Sequence, residues 1–341
     1  MRVTQQDIAR IAKVSQATVS RVLAGDTRVE PETRERVLGA MATSNYRPDV
    51  RAQSLRQKRT HLVGLVLKRP EGGIKDDPFF SCLVSEITTF LSQTKYHLCL
   101  DVAKDANAQT AIYDSLLRTR RVDGLILVEP ECEDRRLQRL HEDKFPFVVL
   151  GNPLGAALHS IDNDNVLAAR MATLHLLDNG FRSIGFLAGP KGVTVSDDRV
   201  TGYRMAMQER GEMDQVWHCD FGHHAAATKS IEILRQPIRP QAIISLDDFM
   251  ATGVASAARQ LDVKLPNDLA MVSFNDSSLC WLFEGGLTSV NMNFEQMMRT
   301  ACERLIAIIE DGDSIEPSRV VISCELKVRG SSQRLNGGSL L

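Results

Sequence analysis

No run of apolar residues approaches the about 18 that a membrane-spanning helix requires. The sequence does not open with the basic segment and apolar stretch of a secretory leader either, so secretion and membrane spanning are not expected. Cys-x-x-Cys pairs are missing as well: the seven cysteines, at 82, 99, 132, 219, 280, 302 and 324, are odd in number. Four of them sit in apolar runs read as strands, as in His97-Leu98-Cys99-Leu100, which predicts small core thiols in a reducing compartment and no disulfide framework. Also absent are Gly-x-Ser-x-Gly, a P-loop lysine, His-Glu-x-x-His and a Rossmann glycine set. The one histidine pair, His223-His224, has no acidic or cysteine partner at ligand spacing and reads as a loop or helix cap. The expectation is a cytosolic protein without catalytic residue, metal or cofactor.

What is present is a split in charge. Residues 1–60 carry twelve Lys/Arg against six Asp/Glu, a balance of +6, and the remaining 281 residues balance at −8. A basic head on an acidic body suits a nucleic-acid partner at one end, because phosphates attract the head and repel the body. A solvated basic face without a partner is the alternative.

The first sixty residues read as three short helices. Thr4-Gln5-Gln6-Asp7 has the form of a capping box, and Ile8, Ala9, Ile11 and Ala12 form one apolar stripe behind it. Lys13-Val14 breaks that helix, and Ser15 caps a second running from Gln16 to about Ala24, buried through Val19, Val22 and Leu23. Gly25-Asp26 ends it. Pro31 opens a third helix carried by Val37, Leu38 and Met41, with Asn45 as a left-handed terminator. Two helices joined by a tight turn and braced by a third make a helix-turn-helix. Its second helix enters the major groove, so Gln16, Ala17 and Arg21 are expected at base edges: Gln pairs with adenine, Arg with guanine, and Ala offers its methyl to thymine. Ser15, Thr18 and Ser20 are short hydroxyls suited to phosphates, and Ser15 and Thr18 also suit capping alone.

These residues carry a resemblance. Val3-Thr4-x-x-Asp7-Ile8-Ala9, Val14-Ser15-x-x-Thr18-Val19-Ser20-Arg21-Val22-Leu23, Thr33-Arg34-x-x-Val37 and Asn45-Tyr46-Arg47-Pro48, in unbroken spacing, resemble the head of the lactose/galactose repressor (LacI/GalR) family. Lys13 departs from a glycine common at that turn, and Glu30 replaces a serine before Pro31, weakening the third cap. The resemblance adds Thr4, Asn45, Tyr46 and Arg47 to the DNA contacts. It makes 48–60 a hinge that orders on DNA, with Leu55 wedged into the minor groove between the cations Arg51 and Arg56. The other reading of Leu55 is an anchor to the core.

From Leu62 onward apolar runs alternate with helical segments. Strands are expected at 62–67, 97–103, 122–128, 147–151, 183–188, 216–221, 242–246, 269–274 and 288–292, and helices at 79–93, 107–119, 164–178, 200–210, 224–235, 249–261 and 294–310. That alternation argues for two parallel sheets with a ligand cleft between them. This half is similar to the same family, whose core is periplasmic-binding-protein-like, through Asp77-Pro78-Phe79-Phe80, Val122-Asp123-Gly124, Ser160-Ile161-Asp162-Asn163, Arg199-Val200-Thr201-Gly202 and Asp247-Asp248.

Carried over by residue, the resemblance implies an effector site with Phe79 and Phe80 as an apolar wall, Arg199 as a charged clamp and Phe221 as a stacking ring. Asp247 and Asn275 would bond ligand hydroxyls, and Phe294 would lie near the lobe crossing. Blander readings stand beside these. Arg199 can pair with Asp197 or Asp198; Asp247 and Asp248 can cap the following helix, Asp248 more readily. Adjacent Phe79 and Phe80 cannot both face one side. The segment from Lys68 to Lys75 is longer and richer in glycine than the family's loop, Gly285-Gly286 replaces Pro-Pro, Asp247 stands for Asn and Asn275 for Asp. The first expectation for the ligand is a sugar or sugar derivative; a nucleobase or phosphorylated metabolite is the alternative.

The fold class is thus an all-α helix-turn-helix head (1–47), a hinge (48–60) and an α/β core of two parallel-sheet lobes (61–333, roughly 61–160 plus 290–320 and 161–289 plus 321–333), then a flexible tail (334–341). The expected function is a DNA-binding repressor acting as a homodimer on a pseudo-palindromic double-stranded operator under small-molecule control. No heptad repeat predicts a tetramer-forming helix. A sugar-binding protein without regulation shares the core but needs a leader and no basic head.

Overall fold

The computed structural model describes residues 3–46, 59–69, 77–155 and 157–333. Arg47, Arg51, Arg56, Leu55, most of the loop from Lys68 to Lys75 and the tail lie outside the described residues. The chain divides into two units, Met1–His61 and Leu62–Leu341.

The first unit packs α1 (Gln5–Ala12), α2 (Gln16–Leu23) and α3 (Pro31–Thr43) around Ile8, Val19, Val22 and Val37. Thr4 and Asp7 cap reciprocally, satisfying two of the amides that open α1. Lys13, in the left-handed region at φ 53°, makes the turn where a glycine would be unstrained. Glu30 makes no side-chain cap to α3. Two expected core positions face water: Ile11 is 51% exposed and Leu38 50%. Three short helices enclose a core only a few residues deep, so each presents a narrower stripe than its apolar content suggests.

The second unit holds two six-stranded sheets. The first has the order β11-β5-β4-β3-β1-β2, all parallel, from β1 (Leu62–Lys68), β2 (His97–Ala103), β3 (Gly124–Val128), β4 (Phe147–Leu150), β5 (Ser160–Asn163) and β11 (Arg319–Ile322). The second has the order β12-β10-β9-β8-β6-β7, from β6 (Ile184–Ala188), β7 (Gln215–His218), β8 (Ala242–Ser245), β9 (Ala270–Phe274), β10 (Thr288–Asn291) and β12 (Glu325–Lys327); only β12 runs antiparallel. Between them run α4 (Pro78–Leu91), α5 (Ala106–Thr119), α6 (Arg135–Glu142), α7 (Asn165–Asp178), α8 (Thr194–Glu209), α9 (His223–Leu234), α10 (Asp248–Gln260) and α11 (Phe294–Asp311). β3, β6, β8 and β9 are buried along their whole length, as strands covered by helices on both faces must be.

Each lobe repeats one topology, in which the second strand joins one side of the first and the next three extend the other. The order reverses between β1 and β3 and between β6 and β8, where crevices open at the strands' carboxyl ends. The chain passes from one sheet to the other after Asn163, between Asn291 and Phe294, and between Ile322 and Glu325, a few residues beyond the expected boundaries. One buried side chain ties the three crossings: Asn163 Nδ2 donates to Met292 O at 2.9 Å and to Ile322 O at 3.0 Å. Across the cleft the lobes also touch through backbone, Cys132 N donating to Gly192 O at 2.8 Å and Thr194 N to Pro130 O at 3.0 Å.

Among the described residues no helix is long and apolar enough to cross a membrane. Of the cysteines only Cys99 lies in a strand, which corrects the expectation of four; Cys82 and Cys302 are in helices and Cys132 is exposed. β5, β11, β12 and α6 were not expected, and α8 begins at Thr194 instead of 200.

Candidate functional site

In the first unit, α2 presents Gln16, Ala17 and Arg21 to solvent, while Val19 and Val22 hold its opposite face in the core. Ser15 opens the helix: its hydroxyl accepts from Thr18 N at 3.1 Å and lies 2.8 Å from the Thr18 hydroxyl. The two hydroxyls therefore pair with each other at the helix start, where backbone amides also point outward. Ser20 is half-buried, and Thr4 is exposed at the start of α1. Asn45 ends α3 in the left-handed region at φ 49°, and Tyr46 packs against the small core with its amide donating to Met41 O at 3.0 Å. A capped helix start, an exposed row of Gln, Ala and Arg and a rigid base behind them form a surface able to read base edges.

The second unit has a cleft between its lobes, a common place for a small-molecule site. Six of the expected residues line it: Phe79, Arg199, Phe221, Asp247, Asn275 and Phe294. Phe80 does not. It is 1% exposed and belongs to the core of the first lobe, because consecutive residues on α4 point 100° apart and only Phe79 turns inward. Phe79 meets Phe294 edge to face, ring centroids 5.3 Å apart.

Arg199, from α8, is fixed from three sides. Nε donates to Asn165 Oδ1 at 2.9 Å, Nη1 donates to Leu246 O at 2.5 Å, and the guanidinium lies 4.2 Å over the Phe274 ring. Pairing with Asp197 or Asp198 is not seen: Asp197 accepts from Gly192 N, and Asp198 from Asn152 across the cleft. Burial lowers the Arg199 pKa to about 10, against the opposing pull of Asp247 and Asp162.

Asp247 caps α10, Oδ1 accepting from Met250 N at 2.6 Å. The expected cap, Asp248, is instead the first residue of the helix and is buried. Its carboxylate accepts from the Ser273 hydroxyl, from the Ser289 hydroxyl at 2.8 Å and from Ser277 N at 2.6 Å, locking α10 to β9 and β10. Burial raises the Asp247 carboxyl to about 7, with the Asp77 charge adding to it. Asp77 caps α4 through Phe79 N and is itself raised to about 6 by burial. Asn275 sits past β9 at φ 100° with its amide bonded to Val290 O.

Several lining residues were missed from the sequence: Arg69, Asp77, Glu129, Asp162, Asn163 and Asn165. All lie at or just past the carboxyl end of a strand or at a helix start. Scanning for the first polar residue after each apolar run would have found Glu129 after β3, but in β1 it stops at Lys68, one residue short of Arg69. Among the described residues no cluster of His, Cys, Asp and Glu has the arrangement of a metal site.

Comparison with known proteins adds identity to this geometry. Residues 4–49 match the model of bacterial regulatory proteins of the lacI family, and residues 173–332 that of the periplasmic binding protein-like domain. The HTH-type transcriptional regulator MalR of Streptococcus pneumoniae is 31% identical over 317 residues, covering 91% of this chain and 94% of its own. The HTH-type transcriptional regulator CelR of Thermobifida fusca is 31% identical over 336 residues, covering 97% and 98%. The solved complex of the transcriptional regulator CelR with cellobiose superposes with a TM-score of 0.74 at 29% identity, covering 97% of this chain and 100% of that one. With a helix-turn-helix head that exposes Gln16, Ala17 and Arg21 and a two-lobed α/β body with a cleft, the chain belongs to the lacI family of bacterial regulatory proteins and is a DNA-binding transcription regulator, not an enzyme.

Proposed function

We propose that the protein is a cytoplasmic repressor that binds a pseudo-palindromic operator as a homodimer and is controlled by a neutral sugar or sugar derivative in the cleft. Gln16, Ala17 and Arg21 read bases. Thr4, Ser15, Thr18 and Ser20 hold phosphates, and Asn45, Tyr46 and Arg47 flank them. Arg51 and Leu55 act in the hinge. Two-fold pairing supplies the second half-site that one small head needs.

The observation that carries the ligand class is the charge of the cleft. Both guanidiniums that line it are bonded to protein acceptors, Arg69 to Glu129 and Arg199 to Asn165 and Leu246 O. Three carboxyls line the same walls: Asp162, paired with Arg319, and the helix caps Asp77 and Asp247, each with one oxygen outside its cap bond. A phosphoryl group would meet those carboxylates, and among the described lining residues both cations are already engaged. Hydroxyls would donate to them, and the rings of Phe79 and Phe294 offer apolar faces to a sugar. The cellobiose held by the solved CelR relative supports a saccharide. Closure of the lobes around the ligand, turning about the crossings that Asn163 joins, would transmit the signal; a coupling of about 1–3 kcal/mol is sufficient.

The test is a mobility-shift assay on DNA upstream of the protein's own gene, repeated with a panel of mono- and disaccharides. The expected result is a specific complex whose apparent affinity changes at least tenfold with one neutral sugar. A complex that responds only to phosphorylated compounds would overturn the ligand assignment.

A further inference from the structure

The residue that most changes the expected picture of the cleft is Arg69, at the end of β1. Its guanidinium binds Glu129 through both Nη atoms, Nη1 to Oε2 at 2.7 Å, and Nη1 also donates to Lys68 O at 2.8 Å. It lies between two rings, 4.4 Å from the Phe80 centroid and 4.7 Å from that of Phe221. Phe80 belongs to the first lobe and Phe221 follows β7 in the second, so the stack spans the cleft. The face of Phe221 that was expected to carry a ligand is covered by a side chain of the protein.

Glu129, which holds Arg69, is fixed in turn. Its backbone is in the left-handed region at φ 51°, and its carbonyl accepts from Arg136 Nη2 at 3.1 Å. Arg136 is paired with Asp134 at 2.6 Å and is itself nearly enclosed. The left-handed backbone of Glu129 is thus held in place by a buried ion pair.

Beyond this stack lies a second open space at the cleft mouth, bordered by Lys68, Lys104, Gln109, Glu131, Lys191 and Asp220. The inner cleft and the mouth share Arg69, Val128, Glu129 and Phe221 as walls. Those residues are therefore the partition between the inner chamber and the outer one.

We propose that Arg69, clamped by Glu129 and stacked on Phe221, is the residue that sets ligand length: it confines the effector to a single sugar ring in the inner cleft and bars extension into the mouth. This rests on the saccharide reading above and deepens it. Removing the pair joins the two chambers, whose outer walls carry donors and acceptors for a second ring. An arginine held by a bidentate ion pair and two rings has already lost its rotamer freedom, so displacing it costs the incoming ring several interactions at once.

The test is isothermal titration calorimetry of the full chain against matched series: glucose with cellobiose and maltose, galactose with lactose, and xylose with xylobiose. The wild type is compared with R69A/E129A, which leaves no unpaired charge, and with F221A, which removes the other leaf of the partition and serves if the double variant does not fold. The wild type should prefer a monosaccharide to its disaccharide by tenfold or more, and in the variants that ratio should fall at least tenfold. A ratio unchanged within threefold, or a wild type that prefers the disaccharide, overturns the role of Arg69 and leaves the saccharide reading standing. Binding of no sugar by any of the proteins overturns both.

Discussion

Replacing Asp247 by asparagine should stabilise the protein at neutral and alkaline pH and do little in acid. Asparagine keeps an oxygen to accept from Met250 N, so the cap of α10 survives, but it cannot ionise. The wild-type carboxyl is raised to about 7, by burial first and by the Asp77 charge second, with the Met250 amide and Arg199 pulling the other way. The unfolded value is about 3.9, so the folded state retains a proton that the unfolded chain has released. The stability contributed is complete below pH about 4, declines as pH rises to about 7, and is flat beyond. Three units correspond to about 4 kcal/mol. Asp247 is half-buried beside an open cleft, and water there reduces this to about 2 kcal/mol. D247N avoids that loss, so its thermal midpoint should exceed the wild type's by about 4–8 °C at pH 8 and by less than half as much at pH 5. Asp77, raised to about 6, keeps part of the slope in both proteins. Melting curves at pH 5, 6, 7 and 8 without ligand provide the comparison. An equal shift at every pH, or a lower midpoint at pH 8, would refute the placement of a burdened carboxyl at this position.

Other substitutions probe the body more locally. A Cβ at Gly202 would lie 2.0 Å from Val166 O, so Gly202→Ala must force α7 and α8 apart; a loss of about 3 kcal/mol and a midpoint lower by about 6–12 °C are expected, and an unchanged melt would contradict the close approach. Arg199→Ala should abolish the response to the effector while DNA binding persists, at a stability cost of about 2–3 kcal/mol from the acceptors it strands; a retained response in the mobility shift removes Arg199 from the site. Asn163→Ala leaves Met292 O and Ile322 O without their donor, so hydrogen exchange should quicken at the crossings near 291–293 and 322–324 and nowhere else in the two sheets.

The long strands were legible because burial on both faces writes itself as unbroken apolar runs, as in Leu125-Ile126-Leu127-Val128 and Ala242-Ile243-Ile244. β5 escaped notice for the opposite reason. Ser160-Ile161-Asp162-Asn163 is buried but mostly polar, because its side chains serve the cleft and the crossing more than a hydrophobic core. α6 buries only Leu137 and Leu140 among arginines, too few apolar positions to show a period. In the cleft, the resemblance to the family led to Arg199, Asp247, Asn275 and the phenylalanines; what each bonds to did not follow. Whether Asp247 or Asp248 caps α10 depends on where the helix begins, a boundary of one residue. That Arg69 covers Phe221 depends on how two lobes meet, and no local pattern records it.

The central claim is that α2 lies along base pairs with Arg21 reading them. Footprinting of wild type and Arg21→Ala on the same upstream fragment tests it most directly. The wild type should protect two half-sites about one helical turn apart, and the variant should lose that pattern while keeping weak, salt-sensitive coverage of any duplex. Equal protection of the same bases by both proteins would contradict the claim.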